Sequence, residues 1–249
     1  MEIIPLIINS MKGLIIIPAY NEGPSIRPVL EQLHACLPDE LDLVVVNDGS
    51  KDETYTEVIN TGTKCLNLPC NLGYTGALKS GLRYGIEENY DFFGFMDADG
   101  QHRPEDMLAL HNDFKNGEQD LIVGSRWLHQ STGQTSTAGR RIGMQFFSWL
   151  AQKLTDQKFS DTTSGMKMMN QNVAKEILHK KFGDLHAEVL IYLHDRGYRI
   201  SETPIIVHER ETGTSMYSFN DALLYPMKNL IFIAIFKLNS WTLKKVSSE

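Results

Sequence analysis

Phe92-Phe93-Gly94-Phe95-Met96-Asp97-Ala98-Asp99-Gly100-Gln101-His102 reads as a buried strand that ends in two carboxylates. The aromatic run is too apolar for a surface element, and two acids separated by one small residue make a poor core. With Gly100 to turn the chain and no basic residue before Arg103, the acids fit an oxygen-ligand site for a hard divalent cation carrying a diphosphate. Two further apolar runs end in polar residues, Val44-Val45-Val46-Asn47-Asp48-Gly49-Ser50 and Ile17-Pro18-Ala19-Tyr20-Asn21-Glu22. Ligands of open α/β sheets sit at the carboxyl ends of strands, so three such ends predict one shared crevice.

The bulk composition narrows the partners. With 31 Asp and Glu against 24 Lys and Arg in 249 residues, the chain carries a net charge of −7 and does not suit general nucleic-acid binding. A diphosphate site in it must draw positive charge from local residues or from metal. Cys36, Cys65 and Cys70 lack metal-ligand spacing and read as buried free thiols. Ile3–Ile8 is too short and lacks the basic flank of a signal peptide, so residues 1–12 read as an N-terminal extension.

Short β-rich runs alternate with helical patterns through the first half, the mark of βαβ units. Strands are expected at 14–17, 43–46, 64–68, 92–95 and 121–123, with helices at about 25–36, 73–87 and 104–116. Ser50-Lys51-Asp52-Glu53 reads as a capping box opening a helix to about Ile59. In the second half a helix opens at Arg140-Arg141, strands are expected at 166–169 and 205–207, and helices near 171–178, 185–195 and 218–238. The domain is expected over 13–217, with 13–125 suited to a nucleotide and 126–217 to a partner substrate, and 218–249 forming an amphipathic helix and tail.

Each cluster has a plain structural alternative. Asp97 and Asp99 are expected on opposite pleat sides if the strand continues, converging at Gly100. Asp99 and Gln101 would then touch the ion while Asp97 faces the sugar or nucleotide. Asp48 could accept the N–H of a uracil or guanine, although Asp-Gly after a strand is also ordinary turn chemistry. Tyr20 could stack on the base. Asn71-Leu72-Gly73-Tyr74-Thr75-Gly76 has Gly-x-x-Gly spacing after the third strand, which suits close helix packing and not a nicotinamide cofactor. Arg126, Arg140, Arg141 and Arg210 are the basic residues that could reach phosphate oxygens.

These residues, in this order, resemble the inverting glycosyltransferases of family 2, especially dolichyl- or polyprenyl-phosphate sugar transferases. The resemblance rests on Pro18-Ala19-Tyr20-Asn21-Glu22, Asn47-Asp48-Gly49-Ser50-Lys51-Asp52, Asn71-Leu72-Gly73 and Met96-Asp97-Ala98-Asp99-Gly100-Gln101-His102. Gly124-Ser125-Arg126, Asp161-Thr162-Thr163-Ser164-Gly165, His186-Ala187-Glu188 and Glu209-Arg210-Glu211-Thr212-Gly213-Thr214-Ser215 complete it. It implies a GT-A fold: a mostly parallel central sheet flanked by helices, here with a C-terminal amphipathic helix. It also implies a UDP- or GDP-sugar donor and Mg²⁺ or Mn²⁺. The family pattern places nucleotide contacts on Pro18, Tyr20, Glu22 and Asp48, and metal–diphosphate contacts on Asp97, Asp99 and Gln101. Arg126 and Arg210 would reach donor or acceptor phosphates. Two departures stand out: Asn47 replaces the first acid of a common Asp-Asp pair, and Ser215-Met216 stands where Gly-x-Ser-Lys is frequent.

The implied reaction is a single in-line displacement that inverts the anomeric carbon. A hydroxyl acceptor would need a general base, for which Asp161 is the first candidate and Glu188 the second. A phosphate acceptor, such as a polyprenyl phosphate, is already anionic and needs the base much less. The alternatives are a sugar-phosphate nucleotidyltransferase, disfavoured by the acidic Ala19-Tyr20-Asn21-Glu22 turn, and a non-catalytic nucleotide-sugar-binding subunit. Leu223, Met227, Leu230, Ile231, Ala234, Ile235 and Leu238 fall near one helix face, giving 218–245 the character of a membrane-surface anchor or of a docking helix for protein. A cytoplasmic protein, peripheral at the inner face of the membrane, is the corresponding expectation.

Overall fold

The computed structural model describes residues 11–128, 138–208 and 227–238. Its first half alternates β1 (Gly13–Ala19), α1 (Gly23–Cys36), β2 (Leu41–Asn47), α2 (Thr54–Asn60), β3 (Lys64–Asn67), α3 (Tyr74–Glu87) and β4 (Phe92–Phe95). It continues through α4 (Pro104–Asn116), β5 (Leu121–Ser125), α5 (Ala138–Thr155), β6 (Lys167–Asn170), α6 (Gln171–His179), α7 (Ala187–Asp195) and β7 (Ile200–Pro204). Residues 227–238 are helical.

The seven strands form one sheet in the order β3-β2-β1-β4-β6-β5-β7. All neighbours run parallel except β6, which is antiparallel to both β4 and β5. β1 is hydrogen-bonded to β2 on one side and β4 on the other, so the connection order reverses there. The reversal opens a crevice beyond the ends of β1, β2 and β4. Because β6 runs the other way, it delivers its beginning to that crevice: Lys167 lies beside Phe95 of β4 and Val123 of β5.

The continuous apolar strands follow from burial on both faces. Leu14, Ile16, Val44, Val46, Phe93 and Phe95 pack with α3, α6 and α7, while Ile15, Ile17, Val45 and Met96 pack toward α1 and α4. A methyl at Gly81 would come within 2.4 Å of Ile16, so α3 sits on the sheet only because that residue has no side chain.

Several expectations need correction. The final strand is Ile200–Pro204, and of 205–207 only Val207 makes an isolated bridge, to His102. Pro204 suits the end of an edge strand. The proposed capping box does not form: α2 begins at Thr54, Ser50 Oγ accepts the N–H of Asn21, and Asp52 accepts from Thr54 N and Gly23 N. The opposite-side placement of Asp97 and Asp99 fails because the pleat has a period of two and the strand stops at Phe95. All three cysteines are free as expected, yet none is buried, and Cys70 is exposed.

The helical segment 227–238 docks by one face. Ile233 is buried, and the Phe236 ring packs tilted against Phe182 and Tyr192, with centroids 5.3 and 5.0 Å away. Lys237 Nζ donates to Leu154 O and Asp195 Oδ1. The opposite face leaves Met227, Leu230, Ile231, Ile235 and Leu238 exposed, as are Phe146 and Trp149 of neighbouring α5. No helix among the described residues is long and apolar enough to cross a membrane.

Phe93 is fully buried in the centre of the sheet, so Phe93→Ala is expected to destabilise the fold by about 3–5 kcal/mol. Urea denaturation measures this, and a loss under 1 kcal/mol would contradict the packing described.

Candidate active site

The first two strand ends are laced into one wall. Asn21, at φ 54, donates its N–H to Ser50 Oγ and accepts Lys51 N at its side-chain oxygen. Glu22 N donates to Thr54 Oγ1, and the Glu22 carboxylate accepts the Ser25 hydroxyl at 2.8 Å. Pro18 lies within β1 opposite Val46, and half-buried Tyr20 follows the strand end. This places Pro18, Tyr20 and Glu22 on the rim shared with Asp48.

Asp48 serves first as a clamp. Only 3% exposed, it accepts Leu72 N at 2.7 Å and Gly73 N at 2.9 Å, one on each oxygen. This ties the loop after β3 to the end of β2. Gly49, at φ +69, approaches the Cys70 backbone so closely that a Cβ would meet it at 2.8 Å. Asn47 is accounted for by its partner: its Nδ2 donates to Asn67 Oδ1 at 2.7 Å, a bond that a carboxylate cannot make.

At the end of β4, Asp97 turns toward the second half of the chain. Its Oδ1 accepts the Tyr74 hydroxyl at 2.9 Å, and His102 Nε2 lies 3.4 Å from Oδ2. Burial pushes the Asp97 carboxyl up, but His102, Tyr74 and the nearby Lys167 charge together bring it below the ordinary range. A Cβ on Gly165 would sit 2.4 Å from Asp97 Oδ2, so the loop before β6 rests directly on this acid. Asp99 Oδ1 accepts Gln101 N at 3.1 Å across the turn made by Gly100, whose φ is +75. Gln101 Nε2 donates to His208 O, and His208 N returns a bond to Gln101 O.

Among the described residues no group of three or more His, Cys, Asp or Glu is gathered to hold a metal. Asp97, Asp99 and Gln101 are the side chains at this strand end that could hold Mg²⁺ or Mn²⁺, ions that take one or two carboxylates and leave their other positions to phosphate and water.

The third wall comes from β5 and the loop before β6. Arg126 Nε meets Asp161 Oδ2 at 2.6 Å, Nη2 meets Oδ1 at 2.8 Å, and Nη2 also donates to Thr163 Oγ1 at 2.7 Å. Asp161 is 0% exposed, and this guanidinium outweighs burial to hold its carboxyl below the usual range. Both Asp161 oxygens accept from the guanidinium, which lowers the proton affinity that the base role expected of Asp161 would draw on. The same bonds anchor the Arg126 side chain and backbone N–H.

Glu188, also 0% exposed, accepts Asp184 N and His186 N and closes a turn in which Leu185 takes φ 58. Burial raises its carboxyl above the ordinary value. Arg210 lies outside the described residues, as do the side chains of Arg140 and Arg141.

Sequence reading passed over Lys167 and gave His186 no role of its own. Lys167 is 3% exposed, bonds Ser164 O through Nζ, and is pushed down by burial to about 8 despite Asp97, Asp161 and Glu188 nearby. A lone lysine in Met166-Lys167-Met168-Met169 was the available signal. His186 is driven by burial to about 3.

Residues 14–178 match the profile of Glycosyl transferase family 2. The chain belongs to this family. It is 29% identical over 217 residues to undecaprenyl-phosphate mannosyltransferase of Micrococcus luteus, covering 84% of this chain and 88% of that one. It is 24% identical over 245 residues to polyprenol monophosphomannose synthase of Mycolicibacterium smegmatis, covering 94% and 88%. Glucosyl-3-phosphoglycerate synthase of Mycobacterium tuberculosis, solved with Mn²⁺, UDP-glucose and phosphoglyceric acid, superposes with a TM-score of 0.68 at 15% identity, covering 92% of this chain and 80% of that one. The fold is GT-A, and the protein is a family 2 glycosyltransferase.

His186 carries a sign for acid stability. Folded, it stays neutral far below the 6.5 of an unfolded histidine, so its contribution is complete above pH 6.5 and declines as the pH falls. Between pH 6.5 and 5 it is expected to steepen the loss by up to roughly 1.4 kcal/mol per unit. Urea midpoints across that range for wild type and His186→Gln measure the difference, and equal slopes would contradict a buried neutral imidazole.

Proposed function

We propose that the protein transfers a sugar, with inversion, from a UDP- or GDP-sugar to a polyprenyl phosphate. The observation that carries the acceptor class is the Arg126–Asp161 pair: the carboxylate that a hydroxyl acceptor would need as base is instead the buried anchor of a cation. A phosphate acceptor brings its own negative oxygen and matches a fixed guanidinium. The named relatives, an undecaprenyl-phosphate mannosyltransferase and a polyprenol monophosphomannose synthase, support the same class.

In this reading Pro18, Tyr20, Glu22 and Asp48 form the nucleoside rim, with Asp48 also keeping the 72–73 backbone in place. Asp97, Asp99 and Gln101 would hold Mg²⁺ or Mn²⁺, which neutralises the charge gathering on the departing diphosphate. Arg126 orients phosphate, and Arg210 is assigned there by the family pattern. Alignment of the acceptor oxygen behind the anomeric carbon supplies much of the rate. Glu188, the second base candidate, has its affinity for protons raised by burial and would matter for a hydroxyl acceptor. The acidic β1–α1 turn, with Glu22 and a single Gly23, favours this reading over a nucleotidyltransferase.

The exposed stripe Met227, Leu230, Ile231, Ile235 and Leu238, with Phe146 and Trp149 of α5 also exposed, suits the surface of the membrane that would contain such an acceptor.

Two experiments test this. Purified protein with undecaprenyl phosphate and a panel of UDP- and GDP-sugars is expected to form a lipid-linked sugar only with Mg²⁺ or Mn²⁺. Asp99→Ala should lower turnover by about 100-fold or more, and a variant at wild-type rate would remove the metal reading. Co-sedimentation with anionic liposomes is expected for the full chain and to be lost in Ile231→Glu/Ile235→Glu, whereas equal sedimentation of both would remove the membrane reading.

A further inference from the structure

We propose that Glu202 is the positioning residue for Arg126, an inference that rests on Arg126 meeting phosphate as proposed above. Glu202 lies in the middle of β7, opposite Val123 and three residues before Arg126 in the register of β5. Its carboxylate accepts Ser160 N at 3.0 and 2.9 Å, Ser160 Oγ at 2.8 Å and Asp161 N at 2.8 Å. From there two hydrogen-bond chains converge on one point. Through Asp161 the first reaches the Arg126 guanidinium and backbone N–H. Through Ser160 Oγ the second reaches buried Ser125 Oγ at 2.7 Å, which accepts Trp127 N at 3.3 Å. One carboxylate therefore fixes the residues before, at and after 126.

The choice of glutamate follows from donor counting. Two N–H groups and one hydroxyl converge on it, so the partner must accept on both oxygens and donate nothing. Glutamine would turn an NH₂ toward one of those donors. The strand that carries Glu202 is itself held: Thr203 Oγ1 donates to Asp113 Oδ2 of α4 at 2.6 Å, and Ile206 N donates to Asp106 Oδ2. Glu202 thus transmits the position of a braced strand to a phosphate-facing cation.

The test compares Glu202→Gln, Arg126→Ala, Asp161→Asn and the double variant Glu202→Gln/Asp161→Asn. Isothermal titration measures Kd for UDP and GDP with Mn²⁺ and for undecaprenyl phosphate in detergent, with the melting temperature of each protein. Arg126→Ala is expected to weaken one of these ligands, and Glu202→Gln to weaken the same ligand by about tenfold. The double variant should lose less than the sum of the two single losses, because one of the two chains from Glu202 passes through Asp161. Glu202→Asp, which keeps an acceptor-only group, should recover part of the loss. If Glu202→Gln does not fold, Ser160→Ala interrupts the second chain alone and should weaken the same ligand more mildly. A Glu202→Gln protein that melts lower but binds as wild type, while Arg126→Ala is weakened, overturns the inference alone. An Arg126→Ala protein that binds every ligand as wild type overturns the phosphate role of Arg126 and the inference with it.

Discussion

A carboxylate with no exposure stays ionised only where something meets its charge, and at Asp161 that is the Arg126 guanidinium. Much of the second half of the site depends on this pair. It joins the end of β5 to the loop before β6, and that loop carries Gly165 onto the Asp97 carboxylate with no room for a methyl between them. The position of an acid at the end of β4 is therefore set from across the sheet. Removing one partner of such a pair typically costs about 3–5 kcal/mol, because the other is left buried and uncompensated. For a domain stable by about 5–15 kcal/mol, this is a constraint on the whole molecule.

The same economy of charge runs through the crevice. Asp97, Asp161 and Glu188 converge from three elements, opposed by Arg126 and the buried Lys167 ammonium, while His186 is kept neutral. A chain of net charge −7 does not attract an anionic ligand by its overall field, so on the proposed reading the positive charge comes from metal and from cations fixed inside the fold. Fixing them requires acids, which explains why so many carboxylates of this site are occupied with backbone N–H groups and guanidinium. Asp48 holds Leu72 and Gly73, Glu188 holds Asp184 and His186, and Glu202 holds Ser160 and Asp161.

The nucleotide-side half was legible because its physics is local. Apolar runs such as Leu43-Val44-Val45-Val46 leave no choice but a strand buried on both faces, and the polar residues that end them mark the crevice. What escaped depends on distant partners. Asp161 and Arg126 are 35 residues apart, and nothing in Asp161-Thr162-Thr163 says whether its acid will face substrate or guanidinium. Ser50 looked like a helix cap until Asn21, from another strand end, donated to it. The last strand was placed on Ile205-Ile206-Val207, the most apolar stretch, whereas Ile200-Ser201-Glu202-Thr203-Pro204 forms it. An edge strand alternates, and here Glu202, on the side of Ile200 and Pro204, braces Asp161, while Thr203 on the other side bonds Asp113.

The two ends of the proposed reaction make opposite demands on the surface, and one loop serves both. A charged phosphate must reach cations deep in the sheet, while its hydrocarbon tail must stay in lipid, so the apolar stripe and the crevice need a fixed relation. Gly183 lies directly beneath Phe232 of the 227–238 helix, at the start of the turn whose N–H groups Glu188 holds. Thr75 and Lys79 of α3 donate to the carbonyls of Gly183 and Lys180 on its other side. The helix that bears the stripe is thus seated on the same short segment that borders the crevice, and α3 fixes that segment to the wall carrying Tyr74 and Asp97. On the proposed reading, this packing is what sets the depth at which a lipid-borne phosphate meets Arg126.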